Sequence, residues 1–375
     1  MDIPLNKPCL AGNELRYINQ AVKNGHISGN GPFTKKCQKF FEEKYGFRKC
    51  LLTTSCTDAL EMAAILLDIK EGDEVIMPSF TFVSSANAFV LRGAKIIFAD
   101  SRKDHPGIDE DHIEDLITKR TKAIVPVHYA GVACDMAKIM QIAERNKLFV
   151  VEDAAQAVDS YYKGTPLGSI GHLATFSFHE TKNISSGEGG MLVINDEKFV
   201  KRAEIIWEKG TNRVDFFRGK INKYGWVDIG SSFLPSDINA AYLYAQLENI
   251  ELIQHKRSEI WKSYYEKLAS LTKNFRIRLP FIPDYALNNY HLFYVIAETK
   301  QQRDELISFL RKKGICSVIH YLPLHLSPYY HLQYFGNELV NSVYYSDHLL
   351  RLPFFIGLSE EEIEFITDSV IKYFN

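Results

Sequence analysis

The chain has 375 residues with 44 lysines and arginines against 46 aspartates and glutamates, a formal net charge of −2 that gives no reason to expect nucleic acid or an anionic membrane as partner. Its length and 46% hydrophobic content suffice for a large core and two domains. The six cysteines, Cys9, Cys37, Cys50, Cys56, Cys134 and Cys316, show no CxxC or metal-finger spacing, and the N-terminal MDIPLNKPCLAGNE lacks the basic and apolar regions of a secretory signal; together these predict a cytoplasmic protein with reduced thiols.

In chain order, the spacing of Leu15, Ile18, Ala21 and Val22 predicts a helix over 13–23, followed by the glycine-rich GHISGNGPFTKK. The apolar run 50–52 then leads through TTSCTDAL into a helix over 58–67. A strand, a Ser/Thr-rich turn and a helix N-terminus make a phosphate cradle, because free backbone amides and the positive dipole end converge there, and Cys56 and Thr57 lie at that turn. A short strand over 74–77 precedes PSFTFVSSANAF, whose Phe82 can stack on a flat ligand or pack in a core. Strands over 94–99 and 123–128 and a helix over 136–146 follow. This alternation predicts a doubly wound, mostly parallel sheet.

The stretch 148–195 carries the chemistry. The β-branched run 148–151 ends in Glu152 and Asp153, and ligands of open α/β sheets gather at that carboxyl end. A second apolar strand, 173–178, ends in HETKN with Lys182, and the glycine-rich 186–190 leads into a third over 191–194. An aldehyde cofactor such as pyridoxal 5'-phosphate needs this pair. The lysine amine condenses with the aldehyde, and the carboxylate keeps the pyridine nitrogen protonated so that the ring withdraws electrons. Ser177 can place a hydroxyl on the cofactor phosphate and Gln156 can reach the ring hydroxyl. The residues alone equally allow Asp153 to cap a helix starting at Ala154, with Lys182 in solvent.

Beyond a helix over 197–207, the segment KGTNRVDFFRGKINKYGW interleaves Lys209, Arg213, Arg218, Lys220 and Lys223 with aromatics. It suits the diphosphate and base of a sugar nucleotide, or a solvated surface. A long helix begins near Ser236. From 252 the pattern changes to a helix over 259–271, a strand over 290–297, a helix over 302–313 and a strand over 317–320. The chain is therefore read as a large domain, 1–251, and a smaller α+β domain, 252–375.

VEDAAQ, followed by SFHETKN and GEGG, resembles the signature of the DegT/DnrJ/EryC1/StrS family of pyridoxal-phosphate-dependent sugar aminotransferases, and the likeness runs from about Ile3 to the C-terminus. The resemblance implies the α/β architecture of fold-type I aminotransferases and a homodimer with shared active sites. It implies cofactor attachment at Lys182, Asp153 on the pyridine nitrogen and Phe82 stacked on the ring. TTSCTDAL resembles the family's GTxAL turn with Cys56 where glycine usually stands, so the backbone there either avoids positive φ or strains to adopt it. HYLPLHLSP, with His320, Tyr321 and His325, resembles the active-site-facing PLH segment. The chain departs from the family's GxNxRM pattern by carrying Ser232 and Leu234, which puts a cross-subunit phosphate contact in doubt or hands it to Ser232. GSSFLPSD, FHETKN and PVHYAGVACDM resemble one subgroup, which moves the amino group of L-glutamate to C4 of dTDP-4-keto-6-deoxyglucose for surface polysaccharide. Amination of another nucleotide-linked keto sugar, or at C3, is the alternative within enzymes. A non-catalytic ligand-binding protein on the same fold is the alternative outside them, and the presence of both Asp153 and Lys182 weighs against it.

Overall fold

The computed structural model describes residues 2–273 and 276–375. Its strands are β1 (Lys49–Thr53), β2 (Glu74–Pro78), β3 (Lys95–Ala99), β4 (Thr121–Ile124), β5 (Phe149–Asp153), β6 (Tyr161–Tyr162), β7 (Thr165–Pro166), β8 (Leu173–Ser177), β9 (Gly190–Ile194), β10 (Ile277–Arg278), β11 (Ala286–Leu287), β12 (Tyr294–Ala297), β13 (Val318–Ile319) and β14 (Leu349–Arg351). The helices are α1 (Glu14–Lys23), α2 (Pro32–Tyr45), α3 (Cys56–Leu66), α4 (Val83–Val90), α5 (Met136–Asn146), α6 (Glu197–Trp207), α7 (Arg213–Phe217), α8 (Asp237–Leu247), α9 (Ile250–Leu268), α10 (Lys300–Lys312), α11 (Val340–His348) and α12 (Glu360–Phe374).

A seven-stranded sheet of order β1-β9-β8-β5-β4-β2-β3 forms the centre. Its pairs from β8 through β5, β4 and β2 to β3 are parallel, and β9 runs against both β8 and β1. These strands read as unbroken apolar runs because helices cover both faces. Ile76, Val150, Ala174 and Val193 point into a core with α2, α5 and α8, whereas Val75, Met77, Val151 and Leu192 point into a second core with α3, α4 and α6. Each such side chain removed from water contributes about 1.5–3 kcal/mol, so the register of the sheet is strongly held.

A four-stranded antiparallel sheet of order β10-β12-β14-β13 follows, packed with α9, α10 and α12 around Tyr264, Phe293, Leu306, Leu350 and Ile366. α12 begins with a capping box formed by Ser359 and Glu362. Among the described residues no helix is long and apolar enough to cross a membrane.

Four sequence expectations differ from the structure. α9 begins nine residues before the expected start at 259 and runs unbroken across position 252, because Ile250 and Ile253 pack in the large-sheet core while Ile260, Trp261, Tyr264 and Leu268 pack on the small sheet. The strand expected over 290–297 starts only at Tyr294, since Tyr290 takes φ +53 and turns the chain. The strand expected over 123–128 ends at Ile124, and beyond it Pro126 offers only a carbonyl, which accepts the Asp153 amide. A helix capped by Asp153 does not form: the segment after β5 is a run of turns.

Candidate active site

The carboxyl edge of the large sheet brings together the ends of β2, β5 and β8, the start of β9 and the N-terminus of α3. There they enclose a cavity of about 580 Å³, closed on its far wall by His291, His320, Tyr321 and Arg351. A groove of about 750 Å³ along α10 is larger, but it is an open surface trough with no convergent groups.

Lys182 enters the cavity from the loop between β8 and β9. That loop is knitted by its own backbone: Phe178 and Ser186 donate to Gly189 and Phe178, and Glu180 donates to Gly187. Burial pushes the Lys182 ammonium below its ordinary value of 10.5, against the pull of neighbouring Asp153. The lysine is therefore more easily deprotonated than one in solvent.

Asp153 ends β5 and is 4% exposed. Its Oδ2 accepts from Ser85 Oγ at 2.6 Å and its Oδ1 from the Ala155 amide at 3.2 Å. Ser85 spends its one hydrogen on the carboxylate, so at the 2.9 Å contact Thr81 Oγ1 is the donor to Ser85. This chain of hydroxyls fixes the carboxylate plane. Gln156 is equally constrained: its Oε1 accepts from the Ala130 amide at 2.7 Å and its Nε2 donates to Tyr321 Oη at 3.1 Å.

Ser55 caps α3, accepting the Asp58 amide at 3.1 Å. The amides of Cys56 and Thr57 find no acceptor among the described residues and open toward the cavity at the positive end of the helix dipole. Thr57 Oγ1 shares a hydrogen bond of 2.8 Å with Ser84. Cys56 is the first helical residue, so no positive φ is needed and the cysteine fits without strain; burial pushes its thiol up, which keeps it protonated. The glycine that matters is Gly190, where a Cβ would lie 2.3 Å from the Cys56 nitrogen and the Ser55 carbonyl carbon. Ser177 closes β8 beside this cup. Phe82, just before α4, leaves 56% of its surface free and sits 6.1 Å from the Tyr321 ring centroid.

Of the expected site residues, Cys56, Thr57, Phe82, Asp153, Gln156, Ser177, Lys182 and His320 line one cavity. His325 does not. It is 5% exposed, its Nδ1 bonds Ser79 Oγ at 2.7 Å, and its ring packs on Phe98 and Tyr334. Lys209 and Arg213 also stand outside the cavity of their own chain, both within 4 Å of Glu208, while Arg213 lies over the Phe217 ring. Ser232 is exposed and forms a bridge with Glu208 rather than lining this cavity.

The sequence reading missed Thr81, Ser85, His291 and Arg351. Ser85 lay in the quoted PSFTFVSSANAF, where two adjacent serines open a helix. Arg351 is the single charge in the apolar LLRLPFF, and an isolated charge in such a run was the available signal.

The model of the DegT/DnrJ/EryC1/StrS aminotransferase family matches residues 8–371. GDP-perosamine synthase of Escherichia coli O157:H7 is 32% identical over 374 residues, covering 100% of this chain and 99% of that protein. The spore coat polysaccharide biosynthesis protein SpsC of Bacillus subtilis (strain 168) is 31% identical over 380 residues, covering 98% and 96%. Among solved structures, the PLP-form of the sugar aminotransferase Spr1654 from Streptococcus pneumoniae, described there as putative, superimposes with a TM-score of 0.90 at 28% identity, covering 100% of this chain and 98% of that one.

Proposed function

Because this chain belongs to the DegT/DnrJ/EryC1/StrS aminotransferase family, we propose that it transfers the amino group of L-glutamate to C4 of dTDP-4-keto-6-deoxyglucose, giving dTDP-4-amino-4,6-dideoxygalactose and 2-oxoglutarate. At the level of class, it is a sugar aminotransferase that uses pyridoxal phosphate. The observation that carries the reading is the opening of Lys182, Asp153 and the two unpaired α3 amides into one cavity.

The residues present fit that cofactor. The amides of Cys56 and Thr57, with the hydroxyls of Thr57 and Ser177, would hold its phosphate. Phe82 would cover one ring face, Asp153 would bind the pyridine nitrogen and Gln156 the ring hydroxyl. When bound, the cofactor supplies an electron sink for the bond to be broken. Lys182 Nζ removes the proton from the donor α-carbon and, in the second half-reaction, delivers one to C4 of the sugar, serving as base and then acid. Asp153 would pair with the charged ring nitrogen when the cofactor is bound, and the Ser85 and Ala155 bonds keep the carboxylate plane fixed for that task.

The sugar is the finer part of this proposal. The E. coli relative is named for a GDP-linked product, which favours a second reading in which the nucleotide is guanosine. The deciding experiment supplies ¹⁵N-labelled L-glutamate with dTDP- and GDP-linked 4-keto-6-deoxy sugars and assigns the product by NMR. The proposal requires label at C4 of a dTDP sugar in the galacto configuration; turnover of the GDP sugar alone, or a C4 amine in the gluco configuration, would overturn it. We further propose a cytoplasmic homodimer with shared active sites, and a division into domains 1–251 and 252–375 joined by α9.

A further inference from the structure

Lys182 is freed from the cofactor each time another amine replaces it, and as an ammonium it then carries three donors inside the cavity. Withdrawn from water, that group needs an acceptor. Asp153 is committed to the ring nitrogen on the reading above and already accepts from Ser85 and Ala155. His291, on the far wall, is the neighbour whose own bonding leaves an acceptor free.

The bonds of Asn183, the residue that follows Lys182, fix the state of that imidazole. Both hydrogens of Asn183 Nδ2 are used, one on the Asn289 carbonyl at 2.7 Å and one on Gln254 Oε1 at 2.9 Å. Its Oδ1 stands 2.9 Å from His291 Nδ1 and can only accept, so the histidine hydrogen sits on Nδ1 and Nε2 keeps a bare lone pair. Protonation of Nε2 is opposed by burial and by the charges of Lys182, Arg257 and Arg351, which push His291 well below its usual range. Arg257 pins the backbone there: its Nε donates to the Tyr290 carbonyl at 3.1 Å and its Nη2 to that of His291. With Nδ1 and the carbonyl both held, the ring turns its Nε2 edge to the cavity it lines, and among the described residues Nε2 has no hydrogen-bond partner.

We propose that His291 is a positioning residue whose bare Nε2 accepts a hydrogen bond from Lys182 Nζ when the lysine is free of the cofactor, with Asn183 holding the ring in the required tautomer; the assignment rests on the aminotransferase reading above. A neutral acceptor suits a group that must take a proton and give it back. It holds the ammonium in place less tightly than a carboxylate would, and so leaves it able to act as an acid. The contact also joins the two sheets, because Asn183 lies in the loop between β8 and β9 and His291 in the lead into β12.

The test uses enzyme reconstituted with pyridoxamine phosphate, in which Lys182 is free, and follows acetylation of Lys182 by acetic anhydride across pH with mass spectrometry. His291→Phe keeps a ring and removes the acceptor. Lys182 should then lose its proton roughly tenfold more readily, the weight of one hydrogen bond from a charged group, and the acetylation midpoint should move to lower pH. His291→Gln, whose amide oxygen can reach the place of Nε2, should restore most of the wild-type midpoint and guards against a folding defect. Asp153, Cys56, Arg351 and His320 also act on Lys182 and are the same in every variant. Both half-reactions should slow in His291→Phe, because Lys182 serves in each. An unchanged midpoint would overturn the proposal, as would an equal shift in the Phe and Gln variants, which would make His291 a packing residue only. A loss confined to the keto-sugar half-reaction with the midpoint unmoved would assign Nε2 to a sugar hydroxyl instead; all three outcomes leave the aminotransferase reading intact. If the wild-type enzyme did not react with glutamate at all, that reading would fall, and the acetylation midpoints would still decide whether His291 holds Lys182.

Discussion

Lys182 and Asp153 make opposite demands on the protein that holds them. Burial disfavours the Lys182 ammonium, so between its depressed folded value and the ordinary 10.5 the unfolded chain binds more protons, and stability rises with pH. The penalty is full below that window and gone above it. Lys182→Met should therefore stabilise the apoenzyme at pH 7 and lose this advantage as pH approaches 10.5; denaturant titrations of both apoenzymes across this range read it out. For Asp153→Asn, turnover should fall roughly two to four orders of magnitude, from the 3–5 kcal/mol lost with one partner of a buried pair. The thermal midpoint should move little, and near-normal turnover in a folded variant would remove Asp153 from its role. Both residues were legible because they sit within one short stretch, Asp153 at the end of one apolar strand and Lys182 in the loop that follows the next. Arg351 and His291 were not, since their approach to Lys182 depends on how the small sheet packs on the large one. His325 shows the converse failure: it shares a segment with His320 and Tyr321, which line the cavity, but its own ring turns inward onto Ser79 and Phe98.

At the level of elements, the phosphate cup depends on how closely β9 approaches the α3 N-terminus. Gly190 opposes Thr53 across one ladder and Ser177 across the other, so the strand pairing sets its position exactly where α3 begins. A Cβ there meets backbone, which cannot rotate away. Gly190→Ala should cost about 1–3 kcal/mol of stability by overpacking. It should also weaken cofactor binding at least tenfold by shifting the Cys56 and Thr57 amides, as measured by fluorescence titration of the apoenzyme. Apolar runs identified the strands of this sheet readily, because burial on both faces leaves a signal that needs no partner. The antiparallel direction of β9 and the early start of α9 left no such mark: the first follows from a loop closed by its own backbone bonds that carries no crossover helix, and the second from one helix serving two cores.

Across the whole molecule, Ser232 and the basic loop lie outside the cavity of their own chain, and the proposed shared site gives Ser232 a place in the partner. Mixing Lys182→Ala chains with Ser232→Arg chains, each inactive alone, should then restore activity, because a hybrid dimer holds one site free of both changes. No recovery on verified subunit exchange would contradict sharing through Ser232. The central claim is that Lys182 and Asp153 run both halves of an amino transfer in this cavity. It is tested most directly by the visible absorption spectrum of the purified protein, first with L-glutamate and then with dTDP-4-keto-6-deoxyglucose. The account predicts a yellow band from the lysine-linked cofactor that bleaches with glutamate and returns with the sugar. A protein that shows no band after pyridoxal phosphate is supplied, or a band that glutamate leaves unchanged, would contradict it.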